Sequence, residues 1–119
     1  MKIENIKKLS VNQLEKLKEK SEFTIQCEIV SYCRKNDILI FSVPNEATRF
    51  NTRYKKSGVL SGVSDLILIA MGRTIYIELK DYKGKQSPSQ IDFQNAVELL
   101  GHKYYIVRSV KEFKIILGY

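Results

Sequence analysis

Asp65-Leu66-Ile67-Leu68-Ile69-Ala70-Met71-Gly72-Arg73-Thr74-Ile75-Tyr76-Ile77-Glu78-Leu79-Lys80 decides the fold of this chain. Residues 65–70 and 74–80 are two short runs rich in branched and aromatic side chains, and Met71-Gly72-Arg73 between them reads as a tight turn. The stretch is therefore a β-hairpin. Charged side chains are normally expelled from strands this apolar. Yet Asp65 opens one strand, and Glu78 and Lys80 close the other. Two carboxylates and an ammonium kept together need a common partner, and the simplest is a divalent cation holding a phosphate.

On either side of the hairpin the chain alternates helices and strands. Ser10-Val11-Asn12-Gln13 resembles a capping box and opens a short charged helix over residues 11–20. Ser21 caps a second helix from Glu22 to Asn36, with Ile25, Ile29, Val30, Tyr32 and Cys33 at helical spacing. Residues 37–43 read as a strand ended by Pro44. Residues 45–61 lack periodicity and carry Arg49, Arg53, Lys55 and Lys56 with Phe50 and Tyr54 interleaved. Such a long loop is either a solvated surface or a basic flap over a nucleic acid backbone. After the hairpin, Ser87-Pro88 starts a helix that runs through Phe93, Ala96, Val97 and Leu100 to Gly101. Residues 103–107 form a further strand, and Ser109 caps a last helix through Phe113, Ile116 and Leu117. The expected class is α/β, a small mixed sheet flanked by helices.

Composition narrows the function. The 119 residues suit one domain, with residues 1–20 as an N-terminal helical extension to a unit over 21–119. Apolar content of 44% and charged content of 28% are those of a globular protein, which argues against disorder. No apolar run approaches the ~20 residues of a membrane span. The opening Met1-Lys2-Ile3-Glu4-Asn5 carries no signal-peptide core, so a cytoplasmic protein with no membrane partner is expected. The net charge is +7, and residues 1–60 hold twelve Lys and Arg against seven Asp and Glu, or +5 of it. That excess suits a polyanion such as nucleic acid, although it also serves plain solubility. Cys27 and Cys33, six residues apart on one helix, are too distant for a disulfide, and no Cys/His cluster suggests zinc. Both are expected to be small buried hydrophobes.

The acids point to phosphodiester chemistry. A divalent metal offsets phosphate charge, lowers the pKa of bound water and fixes geometry. Mg²⁺ takes oxygen ligands, usually one or two carboxylates plus water and phosphate. Asp65 and Glu78 are the expected carboxylate ligands, side by side on antiparallel strands, with the backbone carbonyl of Leu79 as a further donor. Glu78 and Lys80 are two apart and share a strand face, so the ammonium stands beside the metal to stabilise the transition state or orient water. Read without the metal, the same residues are a cross-strand ion pair.

At these residues the chain resembles a VRR-NUC domain of the PD-(D/E)xK nuclease superfamily. The resemblance rests on Gly62-Val63-Ser64-Asp65, Glu78-Leu79-Lys80, Gly84, Ser87-Pro88-Ser89-Gln90, and Gly101 before Tyr105-Ile106-Val107. Ser21-Glu22-Phe23-Thr24-Ile25-Gln26 is similar to the family's helix opening, and the match spans residues 21–113 in motif order. One position departs: Ser64 stands where the family has a proline before its aspartate. The resemblance implies a restriction-endonuclease-like core and a divalent-metal-dependent endonuclease. Asp65 and Glu78 would bind Mg²⁺ or Mn²⁺, and Lys80 would be the catalytic lysine. Gln90 would position water or phosphate, and Glu22 and Gln26, on one helix face, would face the metal through water or contact the substrate. Glu28 lies off that face and reads as solvated. Standalone domains of this kind resemble phage or mobile-element proteins, acting on flap, branched or Holliday-junction DNA as homodimers. Residues 1–20 would then offer dimer surface.

The remaining candidates read as structural. His102 sits in a turn after Gly101, Asp81 faces away from the metal, and one of Tyr104 and Tyr105 is core while the other is exposed. Ser61, Ser64 and Ser89 lack the partners of a nucleophile. The alternative function is a non-catalytic module that binds structured nucleic acid, which the charge and the loop over 45–61 support equally. A protein–protein module with a surface ion-pair cluster leaves Gln90 and the basic loop unexplained. No element for reading base sequence is recognisable.

Overall fold

The computed structural model describes residues 20–43 and 57–118. The helix expected over 11–20 and the cluster Arg49, Arg53, Lys55 and Lys56 lie outside the described residues, apart from Lys20. The described chain is an α/β fold: α1 (Glu22–Lys35), β1 (Ile40–Ser42), β2 (Leu66–Ala70), β3 (Arg73–Leu79), α2 (Pro88–Leu99), β4 (Lys103–Val107) and α3 (Val110–Leu117). The four strands form one sheet in the order β1-β2-β3-β4. The first three are antiparallel, and β4 lies parallel to β3 because α2 carries the chain back before β4 begins.

Strand alternation divides the sheet into two faces. Ile40, Leu66, Leu68, Ile75, Ile77, Leu79 and Val107 point to one of them and are buried with Ile25, Ile29 and Cys33 of α1 and Phe113 of α3. Tyr76 points to the other, where α2 lies: its ring meets Phe93 edge-on at 5.2 Å, and Phe93 meets Tyr104 at 6.3 Å. Tyr104 is thus buried beneath α2, while Tyr105 is half-buried against the main core rather than exposed.

Local chemistry explains the boundaries. Ser21 caps α1 by accepting the Thr24 N–H at 3.1 Å, and Ser109 caps α3 by accepting that of Glu112 at 3.1 Å. The strand expected from residue 37 starts only at Ile40. Residues 36–39 are used instead to leave α1: Asp37 takes a left-handed conformation with φ +54°, and the Ile38 N–H returns to the Cys33 carbonyl at 2.9 Å. Ile25, Ile29 and Cys33 form the buried stripe, and Cys27 lies on the far side of the helix. Cys27 is therefore exposed, not the buried hydrophobe its composition suggested, while Cys33 is buried and both are free. At the hairpin, Met71 and Gly72 have φ of +54° and +73° and make a two-residue turn, so Arg73 already belongs to β3 and pairs with Ala70.

Gly62 is where the loop before β2 meets the start of α2. Its φ is +85°, and a Cβ there would lie 2.2 Å from the Ser89 carbonyl oxygen and 2.9 Å from the Gln90 nitrogen. Backbone on both sides leaves no side chain to move aside. Gly62→Ala is expected to cost roughly 1–3 kcal/mol or more of unfolding free energy, because strain and overlap add. Gly72→Ala, at φ +73° with open space around it, should cost only about 1 kcal/mol. Urea unfolding of the two variants beside the parent measures the difference.

Candidate metal centre

β2 and β3 bring the two acids together. Leu66 pairs with Ile77, so Asp65 and Glu78 are the next opposed residues, on the sheet face that also carries Tyr76 and α2. Asp65 Oδ2 accepts the Leu79 N–H at 2.7 Å, which fixes the carboxylate against the end of β3. Leu79 thus contributes its amide to holding Asp65, and its side chain to the core. Glu78 is only 1% exposed and Lys80 only 8%. The Lys80 ammonium lies 3.8 Å from Glu78 Oε1, close enough for attraction but too far for a hydrogen bond.

Gln90 enters from α2 and has two partners. Its Oε1 accepts the Ser87 N–H at 2.8 Å while the Ser87 hydroxyl accepts the Gln90 N–H at 3.3 Å, completing a capping box. Its Nε2 donates to Glu78 Oε1 at 2.6 Å. The helix-cap role and the site role are filled by the same side chain. Ser64 is fully buried and donates its hydroxyl to the Leu66 carbonyl at 3.1 Å, a bond a proline at this position would not make.

The electrostatics follow from this crowding. Burial first, and then the negative charge of Asp65, push the Glu78 carboxyl up to about 8, the Lys80 ammonium only partly offsetting both. Glu78 Oε2 is buried without a hydrogen-bond partner. An orphaned carboxylate oxygen beside a second carboxylate is the donor set that a hard divalent cation fits. Among the described residues no three His, Cys, Asp or Glu side chains converge on one point. Asp65 and Glu78 would therefore be the carboxylate ligands of such an ion, with backbone, water and substrate oxygens completing its shell.

The remaining candidates stand outside the hydrogen bonds and ion pairs that join Asp65, Glu78, Lys80 and Gln90 among the described residues. Glu22, exposed, and Gln26, half-buried, sit on α1, which packs on the opposite face of the sheet. Neither makes a hydrogen bond or ion pair with Asp65, Glu78 or Lys80 among the described residues. Glu28 pairs with Lys20 at 3.0 Å on the surface, an interaction worth about 0–1 kcal/mol. His102 belongs to the opposite end of β3 from Glu78, its ring edge-on to Tyr76 at 6.2 Å. Asp81 turns away and accepts the Lys83 and Gly84 N–H groups at 3.0 and 2.6 Å.

Residues without an expected role also gather here. Gln86 donates to Gln94 Oε1 at 2.9 Å and to the Tyr104 hydroxyl at 3.2 Å. Burial above all, with the Gln86 hydrogen bond working against it and the charges of Glu78, Asp65 and Glu98 reinforcing it, leaves the Tyr104 phenol pushed up to about 12. The spacing of Gln86, Gln90 and Gln94, each four apart, was the available signal. Comparison with family models, with curated proteins and with solved structures returned no match to this chain.

Because the Glu78 pKa is raised on folding, its stabilising contribution is full while the carboxyl is protonated in both states. It is lost as pH rises from the ordinary glutamate range through about 8. The melting temperature of the metal-free protein is therefore expected to fall between pH 5 and pH 9 by more than in Glu78→Gln, where that titration is removed. Parallel melts across this range give the comparison, and equal slopes would contradict it.

Gln90→Glu separates the two roles of Gln90. A glutamate at this helix position still accepts the Ser87 N–H, but it replaces the donor to Glu78 with a third carboxylate. We expect α2 to survive while thermal stabilisation by added Mg²⁺ or Mn²⁺ increases. Melts with and without metal test this, and a variant destabilised as much as Gln90→Ala, with no added response to metal, would count against it.

Proposed function

We propose that this protein is a Mg²⁺- or Mn²⁺-dependent endonuclease that hydrolyses phosphodiester bonds in structured DNA, with Asp65, Glu78 and Lys80 as its reactive centre. The observation that carries this reading is the mutually repelling pair of half-buried Asp65 and buried Glu78, with one Glu78 oxygen orphaned and an ammonium alongside. The resemblance of Gly62–Asp65, Glu78–Lys80 and Ser87–Gln90 to a VRR-NUC nuclease supports it. So does the net charge of +7, which favours encounter with a polyanion.

The residues divide the work. Asp65 and Glu78 would hold the cation, and Leu79 fixes Asp65 through its amide. When bound, the divalent ion supplies Lewis-acid stabilisation of the phosphate and a more acidic water. Lys80 adds a positive charge that stabilises the charge building on phosphate oxygens as the water oxygen bonds to phosphorus and one ester bond breaks. Gln90 keeps Glu78 oriented with its amide donor. The burial of Glu78 and Lys80, beside half-buried Asp65 and Gln90, strengthens each of these interactions over its value in water.

On this reading the DNA is branched, flapped or a four-way junction, and two copies of the chain supply one site per strand. Arg49, Arg53, Lys55 and Lys56 would neutralise backbone phosphates. The protein would work in the cytoplasm, the host's if it is phage-encoded. No described helix is long and apolar enough to cross a membrane.

A labelled panel of single-stranded, duplex, flap and four-way DNA, incubated with Mg²⁺, Mn²⁺ or EDTA, tests the proposal. We expect metal-dependent cutting of at least one branched substrate, with Lys80→Ala, Asp65→Asn and Glu78→Gln each reduced by roughly 10²-fold or more. Tight binding of branched DNA with no cleavage in either metal would support the non-catalytic module instead.

A further inference from the structure

The turn that follows Lys80 is fastened from a distance. Asp81 Oδ1 accepts the Lys83 and Gly84 N–H groups, and the Gly84 N–H also reaches the Asp81 carbonyl at 3.3 Å, so residues 81–84 form a closed turn. Gly84 packs on the lysine itself: a Cβ there would lie 3.2 Å from Lys80 Cδ and 3.4 Å from Lys80 Cβ. The wall beside the Lys80 stem is therefore backbone. One side chain ties that wall to the rest of the fold. Arg108 Nη1 donates to the Asp81 carbonyl at 2.6 Å and to the Gly84 carbonyl at 3.0 Å. Its own backbone is anchored by Glu112 Oε2, which accepts the Arg108 N–H at 2.8 Å at the start of α3. The Lys80 N–H donates to the Val107 carbonyl at 3.1 Å, one residue before Arg108.

We propose that Arg108 is a positioning residue for Lys80: its guanidinium clamps the 81–84 turn against the lysine stem and so holds the ammonium beside Glu78. The proposal rests on the nuclease function given above, in which Lys80 acts on the phosphate. A guanidinium suits the task because it is always charged and its planar head presents several donors, here to two carbonyls 24 and 27 residues away in the chain. Both bonds leave the one Nη1 nitrogen, whose two hydrogens are fixed in the guanidinium plane, whereas a lysine ammonium ends on a shorter, freely rotating stem. Arg108 acts through Lys80 and has no required contact with DNA.

The test uses the full chain and the DNA that the parent cuts. Arg108→Ala is expected to lower kcat by roughly 10- to 100-fold, the scale on which small misplacements of a reacting group are felt, with KM unchanged. Arg108→Lys should recover little of this. Gly84→Ala, whose added methyl would press on the Lys80 stem from within the clamped turn, should lower kcat with the same pattern. Added guanidinium ion at low millimolar concentration should raise kcat of Arg108→Ala and leave Lys80→Ala unaffected. A rise in KM with kcat preserved would overturn the proposal, since it marks a phosphate contact. A kcat loss that follows the loss of melting temperature, without guanidinium rescue, would overturn it as mere structural damage.

A second measurement does not depend on cutting. In carbon-13 lysine spectra, with the Lys80 signal assigned by its loss in Lys80→Arg, the ε-methylene protons should be distinct in the parent and averaged in Arg108→Ala. Unchanged Lys80 signals would overturn the clamp. If the parent cut nothing while those signals collapsed, the nuclease reading would fail and the clamp would stand as a constraint on Lys80.

Discussion

The opposition of Asp65 and Glu78 is the constraint around which the rest of the site is arranged. The β2–β3 register sets it, because a pairing of Leu66 with Ile77 leaves those two residues facing each other on the next step. Like charges directly opposed on a sheet repel, and burial makes the repulsion worse. Each neighbour answers part of the problem. The Leu79 amide takes one oxygen of Asp65, and Gln90 takes one oxygen of Glu78. The Lys80 ammonium, at 3.8 Å, approaches without bonding. What remains is a buried oxygen with no partner and a carboxyl that keeps its proton near neutrality. A proton relieves that strain in the metal-free protein, and on the function proposed here a divalent ion displaces it.

Precision at the site comes from segments far away in the chain. Gln90 reaches Glu78 because α2 begins where it does, and α2 begins there because Ser87, Pro88 and the capping box define its first turn. That first turn in turn rests on Gly62, whose missing side chain lets the loop before β2 approach the Ser89 backbone. The loop that delivers Asp65 and the helix that delivers Gln90 are thus held against each other by main-chain contact. Arg108 does similar work behind Lys80. Backbone contacts of this kind tolerate little adjustment.

How much of this was legible in the sequence depends on the range of the interaction. Over the described residues, the element order from the helix at Glu22 onward, the hairpin, the caps at Ser21, Ser87 and Ser109, and the α/β class follow from local periodicity and turn chemistry, and the fold has them. The register of the hairpin was not legible: reading Met71-Gly72-Arg73 as the turn pairs Ala70 with Thr74, whereas the turn closes over Met71 and Gly72 alone and shifts the pairing by one residue, to Ala70 with Arg73. The start of β1 was not: the run from Asp37 is apolar enough for a strand, but closing the end of α1 takes residues 36–39. Cys27 was misjudged because cysteine's general preference for burial was set above its place on the helix. Arg108 signals nothing locally, as the two carbonyls it binds are 24 and 27 residues away, and Gly62 stands out only as the head of the Gly62–Asp65 motif, not for the Ser89 backbone it approaches. Glu22 and Gln26 share a helix face, but spacing alone does not tell which side of the sheet that helix covers.

The distinction between a nuclease and a binding module comes down to what carboxylates do near phosphate. A domain that only held DNA would gain from arginine and lysine at Asp65 and Glu78, because each carboxylate repels the backbone it is meant to grip. It would gain in stability as well, since Glu78 at 1% exposure costs desolvation with its partner acid alongside. A structural ion pair would need only one acid for Lys80, placed at bonding distance with both oxygens satisfied. The arrangement here has two acids, one ammonium at 3.8 Å and one oxygen left bare. Binding and packing both favour its removal. On the function proposed here a divalent cation and a phosphate complete it, and the amide of Gln90 and the clamp of Arg108 hold the two charged side chains ready for them.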